Sequence, residues 1–278
     1  AAAASTWCSN RTGMPDLELS GGRTLSYREE GEGPPLVLVH GSPGDGRSWG
    51  RVVPHLRRRH RVFCPDLPGF GGSTRLPDES KGRTAAMGAA VARLIETCDG
   101  PVRLAGHSFG GNIALQAALQ ARHGTVGEVV LFEPVFFRAL ELTGDRAALE
   151  PAAAYFEDYA RRALAGEPGA VRLMIDYWFG AGTWARMPEK IRGPLDNAAA
   201  HNAIDVRGTF LDTNTASALA AFRQPVTIIA GETSPDVVRS IARALLKLLA
   251  KARMEGLTGA NHAMLDTHPE VVAGLIAA

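Results

Sequence analysis

Gly106-His107-Ser108-Phe109-Gly110 separates two stretches of opposite character. Before it, Val102-Arg103-Leu104-Ala105 is a short, mostly apolar run that reads as a strand. After it, residues 109–122 have the composition of a helix. A strand that becomes a helix across so few residues forces the two backbones together, so the residues flanking the turn must be small. Gly106 and Gly110 meet that demand. The serine between them is lifted clear of the sheet, above the first amides of the helix. The plainer reading is a glycine-rich helix start capped by a serine. The strand on one side and the helix on the other argue against it.

The same strand-then-helix order runs through much of the chain. Leu36 to Val39 is apolar at every position and stops at His40-Gly41, the pattern of a strand buried on both faces. Residues 61–64, 128–132, 226–230 and 252–257 read as further strands. Residues 47–59 (around Pro54), 84–97 (with Thr84 as N-cap), 236–250 and from Asp266 onward read as helices. Asp16 to Glu29 suggests a hairpin about Gly21-Gly22, and residues 1–15 read as a tail. This order predicts an α/β fold with a mostly parallel sheet flanked by helices. From 136 to 222 the strand pattern stops and helical segments replace it. The expected organisation is a core domain of residues 16–135 and 223–278, with a helical insertion at 136–222. Such an insertion would stand over the strand ends, where open α/β sheets bind ligands.

Several function classes are disfavoured by composition. Lys plus Arg is 30 and Asp plus Glu is 29, a formal charge of +1, so no net field favours nucleic acid or an anionic membrane. With 45% hydrophobic and 21% charged residues the chain can fill a large core. Its apolar stretches are too short for an integral membrane segment. Cys8, Cys64 and Cys98 fit neither a disulfide framework nor a zinc cluster, and are expected to be reduced, with Cys64 and Cys98 as core or near-core fillers. No metal or cofactor site is expected. A cytoplasmic location is the first expectation, or secretion if the alanine-rich start is a processed terminus. A monomer or homodimer is equally compatible.

An activated serine needs a base, and the base needs an orienting carboxylate. Of eight histidines, His262 follows a strand-like segment, sits in a Gly/Asn loop and precedes the last helix. It fits the chain order nucleophile, acid, histidine. His268 is the weaker candidate, and His201, within the insertion, is a candidate substrate contact. His40 is expected to order its loop by hydrogen bonds. The turn Val39-His40-Gly41-Ser42 ends the first buried strand, so the Ser42 amide and the Phe109 amide are the expected oxyanion hole.

These motifs resemble the α/β-hydrolase superfamily over nearly the full chain. The His-Gly-x-Pro type loop matches His40 to Pro43. The Asp-x-x-Gly-x-Gly-x-Ser segment matches Asp66, Gly69, Gly71 and Ser73. The nucleophile turn matches Gly106 to Gly110, and the C-terminal histidine matches His262. The resemblance implies an eight-stranded sheet, a cap domain at 136–222 after the sixth strand, and hydrolysis without a cofactor. Most relatives carry the acid in a Gly-x-x-Asp pattern after the seventh strand, but here Gly231-Glu232-Thr233-Ser234 places a serine there. Glu133, Asp236 and Glu232 are the candidate acids. Glu133 ends an apolar strand, where a charge is costly without a partner. The haloalkane dehalogenase branch, which carries its acid after the sixth strand, also favours it. Dehalogenases and epoxide hydrolases use aspartate where Ser108 stands, so Ser108 points to acyl chemistry on an ester or lactone. Carbon–carbon bond hydrolases with a serine nucleophile are the alternative, and a catalytically silent binding protein of the same fold is a third reading. Phe136, Phe137, Trp178 and Trp184 are the expected lining for a small, hydrophobic acyl substrate, with water as the second reactant.

Overall fold

The computed structural model describes residues 14–278; Cys8 and the alanine-rich start lie outside them. β1 (Asp16–Leu19) and β2 (Arg23–Glu30) form the hairpin about Gly21 and Gly22, both of which adopt positive φ. β3 (Pro35–Val39) is buried at every position. A 3-10 turn (Gly46–Trp49) and α1 (Val53–Leu56) lead to β4 (Arg61–Pro65), with Pro54 in the first turn of α1, where its missing N–H is not needed. α2 (Arg83–Ile95), β5 (Val102–His107), α3 (Phe109–Gln120) and β6 (Val126–Phe132) continue the alternation. Helices alone follow: α4 (Arg138–Thr143), α5 (Arg146–Leu164), α6 (Val171–Phe179), α7 (Thr183–Arg186), α8 (Glu189–Asn197), α9 (Ala199–Phe210) and α10 (Ala216–Ala221). β7 (Val226–Gly231), α11 (Asp236–Leu248), β8 (Ala252–Leu257), α12 (Met264–Thr267) and α13 (Pro269–Ala277) close the chain.

The strands form one eight-stranded sheet in the order β1-β2-β4-β3-β5-β6-β7-β8. The pairings of β2 with β1 and with β4 are antiparallel, and all those from β4 to β8 are parallel. Successive side chains of a strand point to opposite faces. Leu36 and Leu38 therefore join Trp49, Leu56, Val272 and Ile276 on one side of the sheet. Val37 and Val39 join Met87, Val91, Ile113 and Ile241 on the other. Two cores, one on each face, are the reason this strand is apolar throughout.

Helix boundaries depart from the sequence expectation where long-range contacts intervene. Thr84 does not cap α2. The cap position is Gly82, in a left-handed conformation, and the Thr84 hydroxyl instead donates to Asp212 from a buried position. The segment 47–59 is divided into a 3-10 turn and α1, and the last helix breaks at His268-Pro269. Between β6 and β7, α5 packs on α9, α4 and α5 pack on α11, and α9 packs on α2. The last contact contains an ion pair, Arg83 Nε to Asp205 Oδ1 at 2.5 Å, with both side chains fully buried. No helix among the described residues is long and apolar enough to cross a membrane. Cys64 is buried and Cys98 half-buried; neither forms a disulfide, and burial pushes the Cys98 thiol up to about 11.

Candidate active site

Ser108 joins β5 to α3 with φ 58° and ψ −127°. A non-glycine residue in such a region costs on the order of 1–3 kcal/mol and persists only where its neighbours fix it. Here its N–H donates to the Phe132 carbonyl at 2.9 Å, while its own carbonyl accepts from Gly111 at 2.9 Å and Val135 at 3.0 Å. A Cβ on Gly106 would lie 2.3 Å from the Gly110 carbonyl oxygen, and one on Gly110 would lie 2.2 Å from that of His40. Both glycines are thus required by backbone contact.

Three side chains from separate loops meet in line. His262 Nε2 is 2.8 Å from Ser108 Oγ, and His262 Nδ1 is 2.5 Å from Glu133 Oε2. A carboxylate can only accept, so Nδ1 carries the proton and Nε2 is left to accept from the serine hydroxyl. The other oxygen of Glu133 accepts from the Ser234 hydroxyl at 2.5 Å and from the Gly231 amide at 2.7 Å. Burial alone would raise the Glu133 carboxyl. The bond and charge of His262, with Ser234 and Gly231, outweigh burial and hold it below its ordinary value. Asp236 points outward, its side chain 94% exposed, and pairs with Arg239. Glu232 is exposed and accepts from the Gly259 amide. Neither alternative acid is bonded to His262, whereas Glu133 is.

The imidazole is also held by its neighbours. Trp178 stacks on it with centroids 4.9 Å apart, and Phe179 meets it edge-on at 5.4 Å. His107 Nε2 lies 3.0 Å from the His262 carbonyl and donates to it. Burial, reinforced by nearby His262, pushes His107 down to about 3, so it stays neutral. His40 has an ordering role: its Nε2 accepts from the Leu67 amide at 2.8 Å, so Nδ1 donates to the Gly41 carbonyl, also at 2.8 Å. Asp66 binds the Gly46 and Gly72 amides and Arg28, and a Cβ on Gly71 would strike its carboxylate at 1.9 Å. The Asp-x-x-Gly-x-Gly-x-Ser segment therefore builds a loop around the Asp66 carboxylate.

The turn at Gly41-Ser42 abuts the serine: a Cβ on Gly41 would lie 3.2 Å from Ser108 Cβ. The Ser42 hydroxyl donates to Asp205 Oδ2 at 2.7 Å and accepts from Asn202 Nδ2 at 2.9 Å. Tyr159 in turn donates to Asn202 Oδ1 at 2.6 Å. The turn beside Ser108 is thus tied to α9 and α5. Nothing in the sequence near Ser42 signals these partners, because they lie some 160 residues away in helices without a motif.

Two spaces meet at Ser108. A cleft of about 850 Å3 is lined by His262, Asn261, Ile175, Phe179, Met187 and Leu195, among others. A second cavity of about 20 Å3 is lined by Ser42, Phe109, Phe137, Phe156, Val206 and Thr209. Ser42, Ser108, Met174 and Trp178 border both. Phe137 lines the small cavity and Trp178 both spaces. Phe136 and Trp184 are not among the lining residues of either space. Phe136 is fully buried in the core where β6 turns into α4, and Trp184 lies beneath the Arg192 guanidinium, 5.9 Å from its ring centroid. His201 packs against Phe70 and Arg83, away from the cleft. Burial, then the Arg83 charge, pushes it down to about 4.

A parallel sheet with a serine on a strained strand-to-helix turn, met there by a histidine and an acid, defines a class: hydrolases built on an α/β sheet. The family model described as the alpha/beta hydrolase family matches residues 36–275, and the chain belongs to that family. Over 267 residues, 91% of its length, it is 30% identical to polyketide synthase ThaQ of Burkholderia thailandensis, of which it spans 12%. Over 113 residues it is 39% identical to 2-hydroxymuconate semialdehyde hydrolase of a Pseudomonas species, a match covering 38% of each chain. The matched region is thus well under half the length of either relative. Among solved structures, an esterase from Exiguobacterium antarcticum superimposes with a TM-score of 0.74 over 95% of this chain and 100% of that one. At 17% identity, that likeness is one of fold alone.

Proposed function

We propose that the chain is a serine hydrolase that cleaves a carboxylic ester or lactone of a small to medium hydrophobic substrate through an acyl-enzyme. The unbroken hydrogen-bonded line from Glu133 through His262 to Ser108, beside an apolar cleft, carries this reading. Ser108 Oγ attacks the carbonyl carbon as its proton passes to His262 Nε2. The Ser42 and Phe109 amides receive the developing oxyanion. The carbon–oxygen bond to the leaving alcohol then breaks, and His262 returns the proton to that oxygen. Water adds to the acyl carbon with His262 again as base, and Ser108 leaves with the proton, releasing the acid. Glu133 fixes the imidazole tautomer and stabilises its positive charge. Residues 136–222 act as a cap, placing Trp178 and Phe179 over the imidazole. A fluorophosphonate should label Ser108 in the wild type and fail in S108A, and S108A should lose at least about 10³ in ester turnover. Labelling that persists unchanged in S108A would sink the assignment.

A second reading, a carbon–carbon bond hydrolase, is favoured by the identity to 2-hydroxymuconate semialdehyde hydrolase. It predicts faster turnover of vinylogous diketones than of esters in a side-by-side kinetic screen. A silent binding protein would turn over neither.

A further inference from the structure

We infer that the site is built for esters of a very short acid, acetyl in size, with a bulkier hydrophobic alcohol. This rests on the ester reading above and names the substrate within it. The argument begins with direction. His262 must deliver its proton to the leaving oxygen, so the alcohol lies in the space that His262 lines, and that is the cleft of about 850 Å3. The acyl group must then project away from His262, on the side of Ser42 and Phe109. The space there is the cavity of about 20 Å3, which Phe109 lines and His262 does not; Ser42 and Ser108 border it and the cleft alike. A cavity needs roughly 10–15 Å3 to hold one water-sized group, so this one accepts a methyl and little more.

The small space is closed by walls that do not yield easily. Phe137 and Phe156 are each 1% exposed. Phe137 stacks on Phe210 with centroids 4.1 Å apart, Phe156 stacks on Trp178 at 5.5 Å, and Trp178 stacks on His262. Pushing Phe156 or Trp178 aside to admit a longer chain disturbs the imidazole itself. The polar groups in the wall are already engaged: the Thr209 hydroxyl donates to the Val206 carbonyl, and Asn202 is bound between Ser42 and Tyr159. The wall therefore offers an acyl group apolar contact only. The large cleft, bordered by Ile175, Phe179, Met187 and Leu195, suits an aryl or branched alkyl alcohol.

Two ester series read this directly. With the alcohol fixed as 2-naphthyl and the acyl group lengthened from acetyl to butanoyl to hexanoyl, kcat/KM should fall at least about ten-fold between acetyl and butanoyl, from overpacking a filled cavity. With acetyl fixed, kcat/KM should rise from methyl to benzyl or naphthyl alcohols. Val206→Ala, which enlarges the small cavity, should move the acyl optimum towards butanoyl while leaving the alcohol preference in place. The wild-type series decides the matter even if that variant does not fold. Turnover that is flat or rises with acyl length, while Ser108 is still labelled by fluorophosphonate, overturns the acyl assignment alone. Absence of turnover for every ester, with no labelling at Ser108, overturns the ester reading and this inference with it.

Discussion

Glu133 sits at 1% exposure, in a backbone conformation with φ 47°, at the end of an apolar strand. A carboxylate is tolerated there only because every side of it is engaged: His262 on one oxygen, Ser234 and Gly231 on the other. E133Q preserves the shape but replaces one oxygen by an amide that cannot accept from Nδ1–H, or presents a neutral oxygen in place of a charge. We expect kcat for ester hydrolysis to fall by roughly 10²–10⁴, by analogy with an Asp-to-Asn change in the serine-protease triad. D236N, altering an exposed partner of Arg239, should leave kcat near wild type. Near-wild-type turnover in E133Q with collapse in D236N would reverse the assignment, provided thermal melts show both variants folded. S234A should lower kcat less than E133Q, since it removes one donor to Glu133 and leaves the charge. The sequence reveals the missing acid after β7, but not that Ser234 supports the glutamate that His262 meets. A hydroxyl carries no mark of what it will bond across a hundred residues of chain.

At the scale of elements, α9 joins the helices between β6 and β7 to α2 and the turn at Ser42 through one buried cluster. Asp205 accepts from Arg83 on α2 and from Ser42 on the turn beside Ser108. Removing one partner of a buried ion pair leaves the other charge uncompensated and typically costs about 3–5 kcal/mol. D205A should therefore lower the denaturant midpoint by a corresponding amount. It should also reduce kcat by freeing the Ser42 turn, which bears the proposed oxyanion amide. D205N, which can still accept from Ser42, should be destabilised to a similar degree yet retain more of its turnover. Equal losses of kcat in both variants would show that the Ser42 bond contributes nothing to catalysis. Strands such as β3 and the turn at Ser108 were legible because they depend on neighbours in sequence: an unbroken apolar run, and glycines one residue from a backbone. The Arg83–Asp205 pair was not, because a charge in an amphipathic helix reads as a solvated face until the packing of α9 on α2 is known. Thr84 shows the same limit, since it has the chemistry of a cap but is bonded to Asp212 instead.

The whole molecule responds to pH through carboxyls that the fold shifts in opposite directions. Asp212 is buried, and burial pushes it up to about 6 despite bonds from Thr84 and Asn112. In the unfolded chain an aspartate titrates near 4. Between about pH 4 and 6 the folded protein therefore binds a proton at Asp212 that the unfolded chain does not, so stability falls as pH rises through this window and levels off above it. A displacement of about 2 units corresponds to about 3 kcal/mol at most. Glu133 works the other way, because its carboxyl lies below the ordinary value. Its contribution is present above the usual carboxylate range and is lost on acidification. Asn at 212 is nearly isosteric and neutral at every pH. Its oxygen can accept from the Asn112 amide, while its NH2 faces the Thr84 hydroxyl, which can turn to accept. D212N should thus remove Asp212's share of the loss of stability between pH 4 and 6, leaving that of Asp205, which burial likewise pushes up to about 6, and at pH 7 melt at or above the wild-type temperature, while melting curves below pH 4 stay close to wild type. Melting temperatures measured from pH 3.5 to 7.5 for both proteins test this. A wild-type curve that rises through pH 4 to 6 with the same slope in D212N would mean that Asp212 is ionised throughout and that the bonds from Thr84 and Asn112 outweigh its burial.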